Sequence, residues 1–121
     1  MKLTIIAAPR TKKNSGIITT RGKYPRILPS AAFSAWNRIA QLQLRNCRPI
    51  DPIGVPVNVR ALFYRERLTG DAVGYYQALG DALQEGLIVE NDRLIVSWDG
   101  SRMLKDAANP RIEIEITEAN D

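Results

Sequence analysis

The sequence predicts an α/β fold: a single domain over residues 1–121, with a mixed sheet of about four or five strands and two main helices packed on it. Three observations carry this. The segments "VNVRALFY" and "RIEIEIT" alternate apolar and polar residues with period two, as half-buried strands do. The segments "PSAAFSAWNRIAQLQLRNC" and "DAVGYYQALGDALQEG" place apolar residues at helical spacing. The chain has 121 residues, 45% of them hydrophobic, which suffices for one ordinary core.

Each element has a local reason. "LTIIA" (Leu3–Ala7) reads as a first strand, ended by Pro9. "RTKKNSGIITTRGKYPR" reads as a long loop or loose hairpin, with "GIITT" as its strand. The first helix starts from Ser30 as N-cap, and Phe33, Trp36, Ala40, Leu44 and Cys47 form its inward stripe. "RPIDPIGVP" is a turn-rich connection. The next strand points Val57, Val59, Ala61 and Phe63 inward, with Asn58 and Arg60 outward. The second helix is entered through Thr69, Gly70 and Asp71 and closed by Gly86. "LIVEND" leads into a strand "RLIVSW", and "DGSR" is a turn. The last strand points Ile112, Ile114 and Ile116 inward, with Glu113 and Glu115 outward.

Composition narrows the chemistry. There is no His and one Cys, so Ser-His or Cys-His pairs, an internal disulfide and a Cys/His zinc site are all excluded. Hydrolytic chemistry must then use carboxylates, Lys, or a metal held by oxygen. No apolar run approaches the roughly 20 residues of a membrane span. The N-terminal run of about six residues is shorter than a signal-peptide core of about 7–15. A cytoplasmic location is the default expectation.

Charge is unevenly distributed. The net charge is +4, yet all acidic residues lie at or after Asp51. Before it stand Lys2, Arg10, Lys12, Lys13, Arg21, Lys23, Arg26, Arg38, Arg45 and Arg48. A cationic first part followed by a mildly acidic remainder predicts either a polyanionic partner, nucleic acid first, or a solvated basic surface.

The acidic residues around the second helix have two readings. Asp71 is placed to cap that helix, and Asp92 suits a turn. Both also sit at element boundaries, where a divalent metal and a phosphate can approach. Mg²⁺ typically takes one or two protein carboxylates and keeps several waters. Asp81 lies ten residues beyond Asp71, about 15 Å along a regular helix. It is therefore expected to brace the site or the basic loop, or to serve a neighbouring subunit.

The stretches "DAVGYYQALGDALQEGLIVENDRLI", "WDGSR" and "NPRIEIEI", with the opening "PRTKKNSGIITTRGKYPRILPS", resemble the RusA family of Holliday-junction resolvases. The likeness covers most of the chain. The family are small, dimeric, Mg²⁺-dependent endodeoxyribonucleases of DNA recombination and repair, common in phages and prophages. They bind four-way junctions and nick paired strands. The resemblance thus implies a homodimer, branched DNA as partner, and Mg²⁺ as cofactor. Its first catalytic Asp falls on Asp71 and its later one on Asp92. Asp81 falls in its Asp-Ala-Leu segment as a supporting acid, and Asn91 falls on the auxiliary ligand position. The family's pattern begins Asp-x-Asp-Asn, with a Lys four residues after the second Asp. Here the chain reads Asp71-Ala72-Val73-Gly74, with Gln77 at the Lys position. Val73 offers no oxygen to a metal, and Gln77 brings a hydrogen-bond donor without charge.

Arg10, Lys12, Lys13, Arg21, Lys23 and Arg26 are the expected DNA contacts, able to follow a phosphate backbone with little base specificity. Two readings follow. One is a Mg²⁺-dependent endonuclease that resolves branched DNA. The other is a junction-binding protein of the same fold in which cleavage is impaired. A dimer contact is expected on the second helix near Tyr75, Tyr76 and Leu79.

Overall fold

The structure, a computed structural model, describes residues 1–12, 17–19, 26–28 and 31–119. Its strands are β1 (Lys2–Ile5), β2 (Ile17–Thr19), β3 (Arg26–Leu28), β4 (Val57–Arg65), β5 (Ile95–Ser97), β6 (Arg102–Lys105) and β7 (Arg111–Glu118). The helices are α1 (Ala31–Arg45) and α2 (Ala72–Glu85), and a 3-10 turn, Asp92–Leu94, precedes β5. Five strands form one mixed sheet. β1 pairs with β7 and β7 with β4, both antiparallel; β4 pairs in parallel with β5 and then with β6. β2 and β3 form a separate antiparallel pair.

Register explains the core. Val59, Ala61 and Phe63 stand opposite Ile116, Ile114 and Ile112, while Leu3 and Ile5 meet Ile114 and Ile112 from β1. These inward rows coincide, so the sheet presents one continuous apolar face. Phe33, Trp36, Ala40 and Leu44 of α1 and Ala78, Leu79, Ala82 and Leu83 of α2 join the same buried cluster. Phe63 is fully buried at its centre, and truncation there to Ala would cost about 3–5 kcal/mol. Trp36 is thus a core residue. The helices are tied together by Gln41 Nε2, which donates to the Ala82 carbonyl at 3.0 Å, and by Asn37 Nδ2, which donates to Glu85 at 3.1 Å.

Several local expectations are corrected. α1 ends at Arg45, so Cys47 falls past the helix and is exposed rather than buried in its stripe. Its expected cap, Ser30, lies outside the described residues. Gly86 closes α2 as expected, but with φ −77°; the left-handed residue is Leu87, at φ 59°. Gly86 is needed for close approach, because a Cβ there would meet Leu44 Cδ1 at 3.0 Å and two oxygens at 3.1 Å. Tyr75 and Leu79 are buried in the core and are not available as the expected dimer surface.

The segment expected as a strand "RLIVSW" begins instead as the 3-10 turn and pairs with β4 only over Ile95–Ser97. The chain then leaves β4 at Trp98–Ser101 and returns to it as β6, a strand with no counterpart among the expected elements. Side chains fill the gap in the ladder. Asn58 Oδ1 accepts from Ser97 Oγ at 2.6 Å and from the Asp99 N–H at 2.8 Å. Ser101 Oγ accepts from the Ala61 N–H at 2.9 Å and donates to the Val59 carbonyl. Gly100, at φ +84°, turns the chain where a Cβ would lie 2.9 Å from the Arg60 side chain. The "WDGSR" motif is therefore a detour whose backbone groups are satisfied by neighbouring side chains.

Arg111 fixes the turn into β7. Its guanidinium donates to Asp106 Oδ2 at 3.0 Å, Asn109 O at 2.8 Å and Glu113 Oε2 at 2.8 Å, and lies 3.8 Å from the Tyr64 ring centre. The hydrogen bond from Arg111, then that from the Asn109 N–H, holds the Asp106 carboxyl below its ordinary value. No described helix is long and apolar enough to cross a membrane.

Candidate functional site

α2 begins where Asp71, in extended conformation, turns its side chain back on the first turn. Oδ1 accepts from the Gly74 N–H at 2.9 Å, so Asp71 is the N-cap. From this fixed start, helical spacing puts Val73, Gln77, Gly80 and Asp81 on one stripe. That stripe forms one wall of an open hollow of about 490 Å³. Asp92, Ile95 and Trp98 form the facing wall, and Lys12 borders both. Gly80 lies beside the facing wall: a Cβ built there would make an ordinary contact, 3.8 Å from the Asp92 Cβ.

The two carboxylates of the hollow differ in surroundings. Asp81 is ion-paired with Lys12, whose ammonium also lies 5.4 Å from the Phe33 ring centre. Asp92 opens the 3-10 turn, and its backbone N–H donates to Gln84 Oε1 at 2.8 Å. Its carboxylate makes no hydrogen bond or ion pair with a described residue. Beside it, Trp98 stacks on Tyr76 with ring centres 4.6 Å apart and planes within 6°. The stack gives the hollow a rigid apolar side next to its acidic one.

The structure sorts the expected site residues. It brings Asp92 and Asp81 to one hollow, a pairing that sequence separation concealed, and it ties Asp81 to the basic segment. Asp71 does not line that hollow, although Val73, two residues on, does. Asn91 is turned elsewhere. Its Oδ1 accepts from the Arg93 N–H at 2.9 Å and from Arg93 Nε at 3.4 Å, and it borders a separate hollow with Glu90 and Leu94. Its oxygen thus caps the 3-10 turn instead of joining Asp92. Val73 is 58% exposed, an apolar side chain open to solvent at the hollow's edge.

The expected DNA contacts divide similarly. Pro9 and Thr11 are buried, whereas Arg10 and Lys12 point outward. Arg10 pairs with Glu66 at 3.1 Å. Lys13, Arg21 and Lys23 lie outside the described residues, and Arg26 is placed only as a backbone position in β3. Tyr76 and Trp98 join the site although neither is expected there: Tyr76 is expected at a dimer contact, and Trp98 opens the "WDGSR" motif. The one signal for Tyr76 is its place three residues after Val73.

Among the described residues, no three Asp, Glu or Cys side chains gather as a metal cluster. Two carboxylates, Asp81 and Asp92, line one open hollow, Asp81 already paired with Lys12; a hard cation that keeps its waters takes one or two such ligands. No protein-family model matches the chain, and no curated protein matches its sequence.

Proposed function

We propose that this protein is a Mg²⁺-dependent, structure-selective endodeoxyribonuclease of the RusA kind, which resolves four-way junctions or other branched DNA as a homodimer. One observation carries the reading. Val73, Gln77 and Asp92, the positions to which the resemblance assigns the second Asp, the Lys and the later Asp, border a single hollow. Val73 and Gln77 share a helix face in any case; the informative member is Asp92, which lies fifteen residues beyond Gln77 and reaches the same hollow.

Asp92 and Asp81 would hold the cation. Mg²⁺ supplies charge stabilisation at the phosphoryl oxygens and an activated water when bound. The chain's own groups do the rest. Lys12, at the border of the hollow, meets a phosphate backbone there. Gln77 donates a hydrogen bond to a phosphate oxygen. The Tyr76–Trp98 stack gives the hollow one aromatic wall. Two symmetry-related hollows in a dimer match the two symmetric nicks that resolution needs.

The second reading, junction binding without cleavage, rests on Val73. A solvent-exposed apolar side chain stands where the resemblance expects a carboxylate, and Asp71 spends one oxygen on its cap. One experiment decides. A synthetic four-way junction is incubated with the protein with and without Mg²⁺, and binding is measured on the same sample. Paired nicks that require Mg²⁺ support the nuclease. Tight junction binding without nicks supports the second reading. Equal affinity for junction and linear duplex at every salt concentration sinks both.

A further inference from the structure

The alternation of β4 runs Val57, Val59, Ala61, Phe63 and then Arg65, so a guanidinium occupies the fifth inward position of a core strand. Arg65 is 6% exposed. A buried charge is costly unless an opposite charge or full hydrogen bonding compensates it. Arg65 forms no salt bridge with any described residue. Its described acceptors are two neutral carbonyls, Thr69 O at 2.9 Å from Nη1 and Leu104 O at 3.4 Å from Nε. The Tyr75 ring lies 5.5 Å away. Nη2 donates to none of the described residues.

Arg65 borders a second hollow, of about 310 Å³, on the N-terminal side of α2. Arg10, Arg67 and Glu66 border it too, with Thr69 and Tyr75. Three guanidinium groups face one carboxylate, and that carboxylate is engaged by Arg10. Two positive charges remain uncompensated among the described residues of the hollow. A planar guanidinium held by fixed carbonyls and an aromatic face is already oriented for a tetrahedral oxyanion, so little entropy is lost on binding one. The location is also informative. Arg10 serves this hollow and Lys12 serves the one that holds Asp92, with buried Thr11 between them. One short segment therefore joins the two.

We propose that Arg65, Arg67 and Arg10 form a phosphate-binding site that grips a phosphodiester of the nucleic-acid strand whose neighbouring backbone enters the Asp81–Asp92 hollow. That the phosphate belongs to DNA rests on the function proposed above; the anion site itself does not. Arg65 is the fixed anchor, and Arg10 and Arg67 are adjustable partners. Glu66 moderates the site by competing for Arg10.

The test uses the full chain and two probes. Inorganic phosphate is titrated into ¹⁵N-labelled protein while the arginine Nε–H signals are followed. Fluorescently labelled single-stranded and four-way-junction DNA are then titrated over a range of salt. The site predicts that phosphate moves the Arg65 Nε–H signal. It predicts that Arg67→Gln and Arg65→Lys each weaken DNA binding roughly tenfold. The salt slope should fall by about 0.7–0.9 for each phosphate that a variant no longer neutralises. Glu66→Gln should strengthen binding. Arg67 is exposed, so its variant reports on the site even where a change at Arg65 perturbs folding. A phosphate shift with unchanged DNA affinity in Arg67→Gln marks an adventitious ion only and overturns the proposal, as does an Arg65 signal that phosphate leaves in place. Arginine-dependent DNA binding without junction cleavage would retain this site and remove the nuclease.

Discussion

The ammonium of Lys12 rests against the carboxylate of Asp81, so the chain at Lys12 is fastened to the helix that carries one of the two carboxylates of the candidate site. Both side chains are more than 40% exposed, so the pair contributes at most about 1 kcal/mol to stability. Its consequence is positional. Asp81→Asn should change the urea midpoint little and release Lys12 for a phosphate. Affinity for a four-way junction should hold or rise while Mg²⁺-dependent cleavage falls. If cleavage is unaltered, Asp81 is a brace only, and Asp92 acts without it.

Asp71 separates capping from metal binding. Asn is about as good an N-cap as Asp, whereas Ala costs about 0.5–2 kcal/mol. Asp71→Asn should therefore keep the melting temperature, and Asp71→Ala should lower it. Asp92→Asn should abolish cleavage with junction binding intact, because the Asp92 carboxylate fronts the hollow. If Asp71→Asn cleaves normally while Asp92→Asn does not, Asp71 is a cap alone.

The sheet is legible in the sequence where one face of a strand meets one layer, as in β4 and β7, whose period-two rows coincide in register. β6 is not, because its four residues lie on an edge with only the two middle ones half-buried, and so lack alternation. Asp71 and Asp92 are legible as carboxylates at element boundaries. The partnership of Asp81 with Asp92 is not. It depends on the 3-10 turn lying beside Gly80, a contact between segments about one helix apart that spacing along the chain does not encode. Lys12 is legible as basic, but which acid it meets is decided by the burial of Thr11 and Pro9. Arg65 breaks the inward pattern of its own strand, the kind of local inconsistency that marks a site or a strain.

Acid titration should expose the Arg111 cluster. The Asp106 carboxyl lies below its ordinary value of 3.8, chiefly through the Arg111 hydrogen bond. A depressed folded-state value means the interaction stabilises fully above the unfolded value and is lost as pH falls through the folded one. The difference in melting temperature between the wild type and Asp106→Asn should thus be constant well above pH 3.8 and shrink as pH falls below that value, down to the lowest pH at which the protein stays folded. A difference that persists undiminished to that limit would mean that packing at the turn, and not the charge, is what Asp106 supplies.

Val73→Asp tests whether the hollow is a depleted metal site. Val73 is exposed at the hollow's wall and sits in the first turn of α2, so a carboxylate there stays open to solvent and costs little packing. A negative charge near a helix N-terminus is itself favourable by about 0.3–1 kcal/mol. The substitution should not destabilise the fold, and a thermal melt checks this first. It adds a third carboxylate to the hollow of Asp81 and Asp92, which should tighten Mg²⁺ binding, measured by calorimetry without DNA. Gln77→Lys, one turn along the same stripe, adds the positive charge that a phosphate would meet beside the metal. The double variant should cleave a four-way junction faster than the wild type. If the wild type shows no Mg²⁺-dependent nicking and the folded double variant neither binds Mg²⁺ more tightly nor nicks, the catalytic reading fails. Asp81 would then be the partner of Lys12, and Asp92 a surface charge, on a DNA-binding domain.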